Sequence, residues 1–146
     1  MITLGWREWV RLPELGIDAI KAKVDTGART SAIHAFELRT FHDDGREQVE
    51  FRIHPLQKDD KTIVTSVADV LDRRVVTDSG GHKEERIVIA TVLCIGKFSW
   101  PIEATLTARD NMLFRMLLGR TAIKGRAQVN PARSYLVGKK RRTTKA

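Results

Sequence analysis

The chain has 146 residues, 42% hydrophobic and 30% charged, with a formal net charge of +8 and a single cysteine, Cys94. One core of ordinary size fits that length but two full lobes do not, so a two-fold active site has to come from two chains, and neither an intrachain disulfide nor a cysteine-rich zinc module can form. No apolar run approaches the roughly 20 residues that cross a bilayer, and Arg7 and Glu8 stand where a signal peptide needs an apolar stretch, so the expectation is a soluble, cytoplasmic protein.

Short apolar segments recur between Gly, Asp and Pro punctuation, and nowhere is helical spacing sustained, which is a β-rich pattern. The first clear strand covers 20–24, where Ile20, Ala22 and Val24 alternate with two lysines and the segment runs into Asp25-Thr26-Gly27-Ala28. A carboxylate at the end of a rigid strand is held with little freedom, Thr26 can brace the turn, and Gly27 admits a close approach of backbone or substrate. Further strands are predicted at 49–53, 63–67, 74–77, 86–95, 98–107 and 113–118. Turns are predicted at 43–45, 58–61, 79–81 and 96–97. Seven or so strands make a closed or nearly closed small all-β barrel. A short helix is predicted from Arg120 to about Ala127, interrupted by Gly125. The predicted domain spans 1–138. Residues 139–146 hold five positive charges and no negative one, leaving +3 on the body, and read as a solvated, disordered tail able to touch RNA phosphates weakly.

About ninety residues after Asp-Thr-Gly, Met116-Leu117-Leu118-Gly119-Arg120 forms an apolar strand that breaks at a Gly-Arg pair. The two segments together resemble the retropepsin signature, in which the second crosses behind the first and opens a short helix. A longer likeness runs through GWREWVRLPELGIDAIKAKVDTGARTSAIHA, SGGHKEERIVI and MLLGRTAIKGRAQVNPARSYLVG. These stretches resemble a retropepsin-like family that carries the name ATP-dependent zinc protease and is linked with RimK-type ligases, which add glutamates to a ribosomal protein. The chain departs from that family's pattern at Arg115, where Pro is usual, and at Asn130, where Asp is usual.

The resemblance implies an aspartic peptidase that trims those glutamates. Such a peptidase needs two carboxyl groups sharing one proton, and one Asp-Thr-Gly per chain then implies a homodimer with Asp25, Thr26 and Gly27 as the catalytic turn. The hairpin tip Ser79-Gly80-Gly81-His82 falls where retropepsins place a flap. Asp78, which opens the same tip, reads as a turn residue and not as a second catalytic acid. For an acidic substrate, Ala28, Arg29, Arg86 and Arg120 join the hairpin tip as binding candidates, with Lys83 and Arg109 as auxiliaries. Retropepsins carry an acid just after the catalytic turn that pairs with the Arg of the Gly-Arg step; this chain has Arg29, Thr30 and Ser31 there, so Arg120 is expected to pair elsewhere, with Glu14, Asp18 or a substrate carboxylate.

The family name asserts zinc and ATP. Neither a His-Glu-x-x-His pair among His34, His42, His54 and His82 nor a phosphate loop is present, so no metal site and no cofactor is expected. Trp6, Trp9 and Trp100 read as packing or dimer-contact residues, and Cys94 as a buried small hydrophobe. The expected partners are a second copy, a glutamate-extended ribosomal protein tail and a RimK-type ligase. The alternative is a noncatalytic dimeric module that grips acidic peptides or ribosomal RNA; a metallopeptidase is the third reading.

Overall fold

Along Arg7–Leu12 every second residue, Glu8, Val10 and Leu12, is buried, which is the two-residue period of a strand with one face on a core. Along Ile17–Val24 the buried positions are Ile17, Ile20, Ala22 and Val24, with the period broken between Ile17 and Ile20. The antiparallel ladder between the two strands slips at that place, between Val10 and Leu12. The inward pattern and the register irregularity are one feature seen twice. A tight turn at Pro13–Leu15 joins them and ends on Gly16, whose φ of 72° suits glycine.

The computed structural model describes residues 1–77, 80–108 and 113–139. Its strands are β1 (Ile2–Leu4), β2 (Arg7–Leu12), β3 (Ile17–Val24), β4 (Ser31–His34), β5 (Phe36–Asp43), β6 (Arg46–Ile53), β7 (Val64–Asp69), β8 (Asp72–Thr77), β9 (Lys83–Ile95), β10 (Phe98–Thr107), β11 (Met116–Leu118) and β12 (Ala127–Val129), with one helix, α1 (Arg120–Ile123). Six of them close a barrel in the order β10, β4, β11, β3, β2, β9 and back to β10. β11 lies between β3 and β4, parallel to the first and antiparallel to the second. β9 is long enough to do two jobs: from Val88 onward it pairs with β10, and before Val88 it pairs with β8 outside the ring.

The barrel is filled by side chains such as Val10, Ile20, Ile33, Ile89, Leu93, Leu106 and Met116, each at most 2% exposed. Fully burying one such side chain contributes roughly 2 kcal/mol against the entropy of ordering it. β5, β6 and β7 form a separate three-stranded sheet, and Val49, Phe51 and Ile53 of β6 join the same core. β1 pairs with β12 in parallel. Among the described residues no helix is long and apolar enough to cross a membrane.

An all-β barrel with one short helix is what the structure has, and the predicted segments at 20–24, 49–53, 74–77, 86–95 and 98–107 lie within β3, β6, β8, β9 and β10. The segment predicted at 63–67 is β7, which runs on to Asp69. Two expectations are corrected. The strand predicted at 113–118 begins only at Met116, because Leu113 points into solvent, 69% exposed. The helix stops at Ile123, since Lys124 already has extended backbone and Gly125 takes a φ of 77° to turn the chain into β12. The basic run beyond Lys139 lies outside the described residues.

Candidate active site

β3 delivers Asp25 to the end of the barrel, and β11 running parallel beside it accepts the Asp25 N–H on Leu118 O at 2.8 Å. Beyond that bond the chain turns on itself. Gly27 N–H donates to Asp25 Oδ1 at 3.0 Å, and Ala28 N–H to Asp25 O at 3.2 Å. One carboxylate oxygen is thereby oriented by the backbone of its own turn. The start of α1 holds the other side: Arg120 N–H donates to Ala28 O at 2.8 Å, Thr121 N–H to Arg29 O at 3.1 Å, and Arg120 Nη1 reaches both Thr26 O and Gly27 O at 3.4 Å.

Gly119 is what lets α1 come so close. A Cβ there would stand 2.5 Å from the carbonyl carbon of Thr30 and 2.8 Å from Ser31 N, so only glycine fits. Its N–H donates to the buried Ser31 Oγ at 3.0 Å, and Thr105 Oγ1 of β10 donates to Ser31 O at 3.2 Å. The turn from Asp25 to Thr30 is clamped on three sides, while Asp25 itself stays half-buried and Thr26 and Gly27 are exposed. A fixed, accessible carboxylate of this kind is suited to activating water.

Beside the turn opens a cleft of about 310 Å³, lined by Gly27, Ala28, Arg29 and Thr30 on one side and by β8 from Arg74 to Thr77, with Arg86, on the other. Three arginines thus face one space. Arg86, only 10% exposed, pairs with Glu84 at 3.1 Å. Arg74 pairs with Asp72 at 3.0 Å and Glu103 at 2.9 Å. These bonds, Asp72 first and Glu103 next, hold the Arg74 guanidinium above its ordinary pKa, and the Arg73 N–H followed by the Arg74 side chain hold Asp72 below the usual carboxylate range. On the opposite face of β8, Arg73 forms a two-pronged pair with Glu47 of β6 at 2.7 Å for each prong, which lowers the Glu47 pKa.

The expected site residues are only partly brought together. Asp25, Thr26, Gly27, Ala28, Arg29 and Arg120 form one cluster, and Arg86 reaches it across the cleft. Gly80, Gly81 and His82 sit at the end of the β8–β9 hairpin beyond the residues that line the cleft; Asp78, Ser79 and Arg109 lie outside the described residues. The Arg120 guanidinium lies against the carbonyls of Thr26 and Gly27, while the Glu14 carboxylate accepts from Val92 N–H. Asn130 is a turn residue, its Oδ1 accepting the Ala132 N–H at 3.0 Å, a task Asp performs equally. At position 115 the backbone carbonyl accepts the His34 N–H, a role that needs no proline.

Three residues that matter to the site, Arg74, Glu103 and Thr105, were not singled out from sequence, nor was Glu8, which matters to the fold. Thr105 reaches the turn from β10 through Ser31, and Arg74, with Glu103 bonded to it, reaches the cleft only through strand pairing. Glu8 was legible, because it falls in phase with Val10 and Leu12. It is fully buried, and its carboxylate accepts N–H bonds from Gly5, Leu136, Val137 and Gly138 at 2.6–3.0 Å.

For zinc, the fit is poor: among the described residues no three His, Cys, Asp or Glu side chains gather. His34 is buried in β4, and His54 stacks on Phe36. The tryptophans divide. Trp100 is buried and donates to Ala122 O, whereas Trp6 and Trp9 are half-buried, with Arg7 between Trp6 and Tyr135 and Lys21 between Trp9 and Tyr135. Cations thus cover ring faces that a base would need. Cys94 is a free, buried thiol.

Comparison with known proteins bears on this geometry. A Desulfotalea psychrophila protein named "Probable alpha-L-glutamate ligase" is 49% identical over 135 residues, covering 92% of this chain and 29% of that protein. A protein of the same name from Shewanella pealeana is 46% identical over 137 residues, covering 94% and 30%. The chain therefore spans about 30% of the length of the curated relatives it matches. A crystal structure of a protein of unknown function from Legionella pneumophila superposes with a TM-score of 0.77 at 22% identity, over 92% of this chain and 97% of the other, and shares the fold. The family model described as RimB-like, retropepsin-like aspartic endopeptidase, matches residues 3–140, and the chain belongs to that family.

Proposed function

We propose that the chain is an aspartic-type peptidase that removes or trims glutamates added to a ribosomal protein tail, working as a homodimer. The observation that carries this reading is the clamped, accessible Asp25, whose own turn lines through Gly27 and Ala28 a cleft faced by Arg29, Arg74 and Arg86. A peptide whose side chains are carboxylates is the ligand such a cleft is charged to take. The names of the longer relatives support the same substrate class, since a ligase that adds glutamates and a peptidase that removes them act on one polymer.

The chemistry needs a second carboxyl group, supplied by Asp25 of a second copy. With one proton between the two, the ionised carboxylate takes a proton from water as the water oxygen attacks the scissile carbonyl carbon, and the protonated partner donates to the carbonyl oxygen. Collapse of the resulting diol expels the amine, which leaves with the proton taken from water, and the shared proton returns to the pair. Thr26 and Gly27 shape the turn, and Arg120 holds it by two carbonyls.

Mass spectrometry of a peptide ending in several glutamates tests this. Stepwise loss of glutamate by the wild type, persisting with chelator and abolished in Asp25→Asn, is the expected result. Abolition of activity by chelator alone would favour a metal, and binding without cleavage would favour the noncatalytic module.

A further inference from the structure

The cleft at the catalytic turn does not end at Arg29. A second depression of about 530 Å³ shares Arg29, Thr30 and Arg74 with it and continues to Pro101, Glu103 and Thr121. The two make one groove, with Arg74 at the junction. Arg74 stands directly opposite Arg86 on the β8–β9 ladder, and both line the cleft. Like charges placed opposite each other across strands repel, so the pair persists only where anions sit on it. Among the described residues those anions are Glu84 on Arg86, and Asp72 and Glu103 on Arg74.

Of these, Glu103 lines the second depression, and it reaches Arg74 from another strand, β10. Both partners are well exposed, 39% for Arg74 and 45% for Glu103, so the bond between them is of the weak, water-screened kind. An arriving carboxylate that replaces Glu103 exchanges one such bond for another.

We propose that Arg74 and Glu103 form an exchangeable pair that selects acidic chains by length: a side-chain carboxylate of the substrate, one or more residues away from the bond at Asp25, displaces Glu103 from Arg74 and seats the chain in the outer half of the groove. This rests on the acidic-peptide reading of the cleft. A short tail stays within the inner cleft. A longer one runs past Arg74 into the outer half, and Glu103 there sets a threshold, because its carboxylate opposes any acidic chain that fails to displace it.

Binding separates this from the peptidase reading. Peptides with a diglutamate or a hexaglutamate tail, labelled with fluorescein, are titrated against the Asp25→Asn protein and followed by anisotropy. Adding Arg74→Met is expected to weaken hexaglutamate binding about tenfold, the loss of one charge-assisted contact. Adding Glu103→Gln is expected to tighten it several-fold and to leave the diglutamate peptide within about twofold. Arg73→Met, on the opposite face of β8, serves as a control and is expected to match the parent. If hexaglutamate binds the parent but Arg74→Met and Glu103→Gln bind it equally well, the outer subsite is wrong while the acidic-peptide reading stands. If neither peptide binds and the wild type cuts neither, both fall together.

Discussion

Asp25 owes its orientation to neighbours that carry no acid–base chemistry. Arg120, Gly119 and Ser31 hold the turn from three directions, and Asp-Thr-Gly was legible because this local grammar is compressed into consecutive residues. Arg74 was not legible, because nothing in Asp-Arg-Arg-Val says which arginine faces the groove; only the ladder with β9 decides it. Glu8 makes the residue-scale prediction. Its carboxylate accepts four N–H bonds in a buried place, and an amide offers one oxygen and adds donors that face donors. Glu8→Gln is expected to cost about 2–4 kcal/mol in urea unfolding. A loss under about 0.5 kcal/mol, the range of ordinary surface changes, would show that the clasp contributes little.

At the scale of elements, legibility follows burial pattern. β3, β9 and β10 were readable because they carry several inward apolar residues at strand spacing. β5 was not, since almost all of its residues are exposed or half-buried, and β4, with four buried residues in a row, shows no alternation. β8 is a different case: to its ladder with β9 it adds charge pairs, with Arg73 on Glu47, Asp72 on Arg74 and Arg74 on Glu103. The carboxyls of Glu47 and Asp72 have lowered pKa values in the fold, Glu47 chiefly through the Arg73 side chain and Asp72 chiefly through the Arg73 N–H. Carboxyls shifted downward stabilise fully above their ordinary values and lose that contribution as pH falls through the folded ones. The melting temperature is therefore expected to drop below about pH 4, with a shallower slope in Glu47→Gln. A melting curve unchanged from about pH 6 to about pH 3 would contradict it.

For the whole molecule, the six-strand ring with β11 threaded between β3 and β4 brings two distant segments together at the Asp25 turn. On the dimeric mechanism proposed above, one such turn per chain makes activity a property of the pair. Turnover per mole of protein is expected to fall on dilution through the dimer dissociation range and to be suppressed when Asp25→Asn protein is mixed in, as followed by glutamate release. A specific activity independent of concentration and of added variant would mean that one copy suffices.

The clasp at Glu8 also bears on how the chain is made. Its bonds to Gly138 span 130 residues of sequence, and β12 must be present before β1 has a partner. During translation the Glu8 carboxylate therefore stays hydrated until the last of its N–H donors leaves the ribosome. The clasp and the β1–β12 pairing become late events, after all six ring strands have been made, slow in the manner of topologies dominated by distant contacts. A nascent chain halted before β12 leaves the β1 edge open to whatever chaperone or protease is near.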